Sequence, residues 1–99
     1  YLSSAERAQA PTLYKTLTNI AEQVTTGTMA CDITCHAATD GLLAAGFSAV
    51  DYIAVCDAET LQPLATIDHE YQRPARILGA AWLGGARLID NVGVPGSGA

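Results

Sequence analysis

The spacing of apolar positions changes period at Gly46. Before it, Ala10, Leu13, Tyr14, Leu17, Ile20, Ala21 and Val24 recur at i, i+3, i+4 and i+7, which is one apolar face of an amphipathic helix. Ser3 and Glu6 have the spacing of a capping box, in which a hydroxyl and a carboxylate each satisfy an orphan amide of the first turn. A helix is therefore expected over about 4–26. Pro11 removes a backbone donor and crowds the preceding turn. It predicts a kink, or a short helix followed by a second one with Pro11 in its first turn. Gly27 is a stop signal. A second stripe, Cys31, Cys35, Ala38, Leu42 and Ala45, predicts a helix over about 29–45, ended by Gly46. The short link between the two favours an antiparallel helical hairpin.

After Gly46 the pattern becomes extended. Strands are expected over about 50–56, 75–83 and 87–94. In the first, both alternating sets are apolar (Val50, Tyr52, Ala54, Cys56 against Ile53, Val55), so it reads as covered on both faces or central. Asp57 is placed to cap the turn that follows it. Residues 66–74 read as a polar loop, Gly84-Gly85 as a tight hairpin turn, and 95–99 as a flexible tail. Helices and strands are segregated along the chain. That predicts an α+β domain over 1–94: an antiparallel helical hairpin packed on a small, three-stranded antiparallel sheet.

Composition narrows the partners. The chain has 99 residues, 49% of them hydrophobic, which is one small domain with one core. Five Lys/Arg against ten Asp/Glu give a net charge of −5. The cations Arg7, Lys15, Arg73, Arg76 and Arg87 are scattered, so no basic patch points to nucleic acid or to an anionic membrane surface. No stretch approaches the roughly 20 apolar residues of a membrane span. Three cysteines, an odd number with no signal peptide ahead of them, argue for free thiols in a reducing compartment.

Candidate chemistry is sparse. Cys31 and Cys35 share a helix face, but His36 points elsewhere on the wheel, and zinc needs four converging ligands. Both cysteines coincide with the core stripe and read as small hydrophobes. The Asp68-His69 pair has acid/base character, but no nucleophile stands beside it; a polar loop is the simpler reading. Asp51, Asp57, Glu59, Asp68 and Glu70 match no calcium loop or paired-acid spacing. Trp82 is expected to pack beside the hairpin turn. In Arg87-Leu88-Ile89-Asp90-Asn91, Arg87, Ile89 and Asn91 share one strand face, whereas Asp90 lies on the other and needs a polar partner. No metal site and no catalytic residue emerges from these patterns.

Three separated segments resemble one family. They are Tyr1-Leu2-Ser3-Ser4-Ala5-Glu6-Arg7 with Ala10-Pro11-Thr12-Leu13-Tyr14-Lys15, then Val50 to Leu61, then Ala80-Ala81-Trp82-Leu83-Gly84-Gly85-Ala86-Arg87-Leu88-Ile89-Asp90-Asn91. In this order they resemble the C-terminal domain of the bacterial pantothenate synthetase (pantoate–β-alanine ligase) family. The resemblance implies a cytoplasmic enzyme in which ATP and Mg²⁺ convert pantoate to an acyl-adenylate that β-alanine attacks. It implies an N-terminal nucleotide-binding domain holding the catalytic groups, a homodimer built mainly by that domain, and a small C-terminal lid. The family's phosphate-gripping Ser-Ser-Arg-Asn would lie just before Tyr1; Ser3-Ser4 is followed by Ala5-Glu6 and is not that motif. No catalytic, substrate-binding or metal residue is thereby carried over, the isolated chain is expected to be inactive, and Arg87 is the one lid-facing candidate. Two other classes stay open: a free-standing α+β interaction module, and a small metal-binding domain resting on the cysteines alone.

Overall fold

The computed structural model describes residues 2–26, 30–65 and 74–94. Helix α1 (Ser4–Gln9) is one and a half turns long and opens with the expected capping box. The Ser3 hydroxyl accepts from the Glu6 amide at 3.1 Å, and the Glu6 carboxylate accepts from the Ser3 amide at 2.9 Å. Helix α2 (Pro11–Thr26) starts on the proline. Of the two outcomes expected at Pro11 within the span 4–26, a kink or a restart, the chain takes the restart. Pro11 lacks a backbone donor, which is harmless only in the first turn, so the chain restarts its helix there.

Helix α3 (Cys31–Ala44) begins and ends slightly inside its expected range. Its N-cap, Ala30, offers no side-chain oxygen. The Cys31 amide instead donates to the carbonyl of Ala65 at 2.8 Å, so a loop distant in sequence performs the capping. A groove between α2 and α3 is lined by Thr16, Asn19 and Gln23 on one side and Thr34, Ala38 and Gly41 on the other.

Strands β1 (Ala49–Asp57), β2 (Ala75–Leu83) and β3 (Ala86–Gly93) form an antiparallel sheet in the order β1-β2-β3. Both helices of the hairpin pack on one face of it, α2 over β2 and β3 and α3 over β1. The core between the layers is formed by Leu13, Leu17, Ile20 and Val24 from α2, Cys31, Cys35 and Leu42 from α3, and Val55, Ile77, Ala81 and Leu83 from the sheet. Burying each Leu or Ile side chain of this set contributes roughly 1.5–3 kcal/mol. Tyr14, expected on the apolar face, lies at its margin and is 55% exposed. Thr34, which no sequence pattern singles out, is buried and returns its hydroxyl to the Ala30 carbonyl at 3.3 Å.

Strand β1 is an edge strand, and β2 is the centre. The expected central position is therefore overturned, whereas cover on both faces holds at the end of the strand, where Val55 and Cys56 are both buried; nearer its start, β1 carries a bulge between Val50 and Tyr52. Val50 opposes Ala81 and faces the helices; Tyr52 opposes Ala80 on the outer face; Asp51 is the extra residue between them. An inserted residue shifts the side-chain alternation by one. Val50 therefore shares the inner face with Ile53 and Val55 although their numbers differ in parity. Beyond the bulge, the loop after β1 folds back over it, through Leu64 N–H to the Val55 carbonyl at 2.9 Å and Asp57 N–H to the Gln62 carbonyl at 3.0 Å.

Candidate functional site

Polar side chains converge on the outer face of the sheet, away from the helices. The bulge turns Asp51 onto this face. Across β2, Trp82 and Arg87 are register partners flanking the hairpin turn. Arg87 Nε donates to Asp51 Oδ2 at 2.7 Å, and Trp82 Nε1 donates to both carboxylate oxygens at 3.2 and 3.3 Å. One residue from each strand thus meets in a single cluster. The Arg87 and Asp51 side chains are 39% and 37% exposed. The Arg87 hydrogen bond holds the Asp51 carboxyl below the usual carboxylate range; partial desolvation opposes it and the Trp82 indole reinforces it. Further along the same face, Arg76 Nε donates to Asn91 Oδ1 at 2.9 Å. Ala80 is fully covered between its register partners Tyr52 and Ile89, themselves 42% and 62% exposed.

The hairpin turn joins this cluster to α1. Gly84 has φ +60°, a conformation that favours glycine. The Glu6 carboxylate lies directly against it, in the space a β-carbon would need. Glu6 therefore secures the Ser3 amide and the turn together, although α1 buries no side chain of its own.

The other sequence candidates separate. Cys31, Cys35 and Cys56 are buried free thiols. Burial pushes the Cys35 thiol up to about 11, with the neighbouring Cys31 and Cys56 adding to the shift, which is the behaviour of core residues and not of nucleophiles. His36 is 81% exposed on the far side of α3 and stands 3.8 Å from Asp40. Among the described residues, no three His, Cys, Asp or Glu side chains are placed to hold a metal ion. Asp57 is buried and caps its turn, accepting from the amides of Glu59 at 2.9 Å and Thr60 at 3.0 Å. Asp90 accepts from the Asn91 amide at 2.8 Å. Asp68, His69 and Glu70 lie outside the described residues, as do residues 66–73 of the loop expected over 66–74 and the tail over 95–99. No described helix is long and apolar enough to cross a membrane.

The family resemblance singled out Arg87 as a candidate, but no sequence pattern showed that Asp51 and Trp82 hold it. Asp51 and Trp82 are 31 residues apart, and only the register of the sheet joins them. The sequence signal was weak: the bulge accounts for the parity of Val50 alone, and Tyr52, Ala54 and Cys56 keep the outer set apolar as well.

The pantoate-beta-alanine ligase family profile matches residues 1–93. Pantothenate synthetase from Paramagnetospirillum magneticum is 50% identical over 94 residues, covering 95% of this chain and 31% of that protein. The synthetase of Dinoroseobacter shibae is likewise 50% identical over 94 residues, which is 32% of its length. The crystal structure of pantothenate synthetase from Thermus thermophilus superposes with a TM-score of 0.71 at 34% identity, covering 95% of this chain and 32% of that one. The chain thus spans about a third of the length of the relatives it matches. With a family match over nearly its whole length and a shared fold, the chain belongs to the pantoate–β-alanine ligase family.

Proposed function

We propose that this chain is the C-terminal lid domain of an ATP-dependent ligase that condenses pantoate with β-alanine. The observation that carries the reading is one of length: 95% of this chain accounts for only 31% of a relative that is 50% identical to it. The remaining two-thirds is the proposed N-terminal nucleotide-binding domain, which supplies the catalytic groups, binds pantoate, β-alanine and ATP, and forms most of the dimer interface. The enzyme is cytoplasmic on this reading.

The chemistry explains why such a domain needs a cover. Pantoate is activated by ATP to pantoyl-adenylate with release of pyrophosphate, and the β-alanine amine then displaces AMP. An acyl-adenylate is a mixed anhydride that water also cleaves. A domain that closes over it excludes water without donating a reacting group. The compact two-layer core supports movement as one body. The described residues do not fit a Mg²⁺ site, and no step is assigned to a metal held by them. Arg87 is the proposed lid residue nearest the nucleotide phosphates in the closed state.

The test compares the purified 99-residue chain with the intact enzyme. The intact enzyme is expected to form AMP and pantothenate, and the chain alone neither to do so nor to hold ATP tightly. Turnover by the isolated chain would overturn the reading. In the intact enzyme, Arg87→Ala is expected to raise the KM for ATP; unchanged ATP kinetics would remove Arg87 from the proposal.

A further inference from the structure

The cluster on the outer sheet face is more elaborate than packing requires. Asp51, Trp82 and Arg87 all lie outside the core cluster. The bulge in β1 sets Asp51 and Tyr52 on the same face, and bulges are a common means of re-aiming one side chain. The carboxylate so placed takes the Nε of Arg87 and the indole N–H of Trp82. It thereby leaves the Nη1 and Nη2 groups of Arg87 without a protein acceptor among the described residues. An arginine gripped at Nε, beside a register partner that holds the same carboxylate, loses much of its rotamer freedom beforehand. What it still offers is a planar pair of donors matched to a phosphate or carboxylate edge.

The position suits that role. Glu6 seats on Gly84, between Trp82 and Arg87 in the chain. The N-terminal segment around Ser3, which the proposed reading joins to the nucleotide-binding domain, therefore lies at the hairpin end of the sheet, as the cluster does. We infer that Asp51 is a positioning residue that holds Arg87, against Trp82, so that its Nη edge receives an anionic oxygen group of a substrate when the lid closes. The inference rests on the ligase reading above and adds to it the residues that orient Arg87.

The test is a double-mutant cycle in the intact ligase with Asp51→Ala, Arg87→Ala and the pair. Each single change is expected to lower kcat/KM about tenfold, the scale of one hydrogen bond to a charged group. The pair should be no worse than Arg87→Ala alone, because Asp51 acts through Arg87. Asp51→Glu should restore part of the loss, and the Tm should fall by no more than a few degrees, as for an exposed ion pair. A raised KM for ATP identifies phosphate as the anion; a raised KM for pantoate or β-alanine identifies a carboxylate. Unchanged kinetics in Asp51→Ala, or an undiminished further loss on top of Arg87→Ala, would overturn the inference and leave the ligase reading intact. An intact wild-type enzyme that ligates nothing would overturn both.

Discussion

Gly79 sits at the centre of β2, directly under α2. A β-carbon built there would stand 2.9 Å from Leu17 Cδ2, 3.0 Å from Ile53 Cδ1 and 3.4 Å from Leu13 Cδ1. Relaxed carbon contacts lie at about 3.5–4.0 Å, so Gly79→Ala forces the methyls of Leu17 and Ile53 back by roughly 0.5–1 Å. Leu17 is fully buried, and a close-packed core has little room to yield. Overpacking of this kind costs about 1–3 kcal/mol. Alanine recovers about 0.4–1 kcal/mol by restricting the unfolded chain. The net expectation is a loss of about 1–2 kcal/mol, and a Tm lower by about 5–15 °C for a domain of this size. Urea unfolding followed by circular dichroism and by the emission of Trp82, the single tryptophan, measures it with two probes that should coincide. Gly85→Ala is the control, since nothing lies within 4 Å of that position; it should stay within about 0.5 kcal/mol. Leu17→Ala costs about 2–5 kcal/mol alone, and combined with Gly79→Ala it should cost less than the sum, because the cavity admits the new methyl. A Gly79→Ala protein as stable as the wild type would show that α2 does not bear on β2 in this way.

Gly84→Ala meets both a left-handed backbone, costing about 1–2 kcal/mol, and the Glu6 carboxylate; hydrogen exchange should speed up most at the Ser3 and Glu6 amides, with the sheet centre accelerated by no more than the global loss. Leu61 has φ +61° and is 59% exposed, so Leu61→Gly should relieve strain and raise the Tm, and a lowered Tm would contradict the assignment. The folded-state pKa of Asp51 lies below its ordinary value of 3.8, so its stabilising contribution is present above about pH 4 and is lost as pH falls through the folded value. The Tm difference between wild type and Asp51→Asn should therefore shrink on acidification below pH 4, and a constant difference would refute the pairing. The Cys35 thiol is raised from 9.0 to about 11 in the fold. Its contribution is complete below pH 9 and declines as pH rises toward 11, so Cys35→Ala should flatten the alkaline loss of stability measured in urea.

The local sequence by itself determined every feature whose cause is local. The 3.6-residue stripe ending in Val24, the Ser3–Glu6 capping box, the restart of the helix at Pro11, the Asp57 cap and the Gly84-Gly85 turn all depend on residues within a few positions of each other. Backbone propensity and side-chain reach settle such features before any tertiary contact forms. Burial of Cys31 and Cys35 followed from the same kind of periodicity in α3.

Tertiary structure decided what depends on register and on partners far along the chain. The order β1-β2-β3 puts Val50 to Cys56 at an edge, which an apolar run cannot disclose, because strand order is set by pairing with residues far along the chain and an edge strand can be covered on both faces too. The Ala65 carbonyl that caps α3, the Glu6 carboxylate against Gly84, and the Leu17 methyls over Gly79 are likewise contacts between elements. The Asp51–Trp82–Arg87 cluster is the sharpest case. Each of the three is an ordinary surface residue when read singly. They become one site only because an inserted residue in β1 turns a carboxylate outward, opposite the register pair of a hairpin that closes 31 residues later.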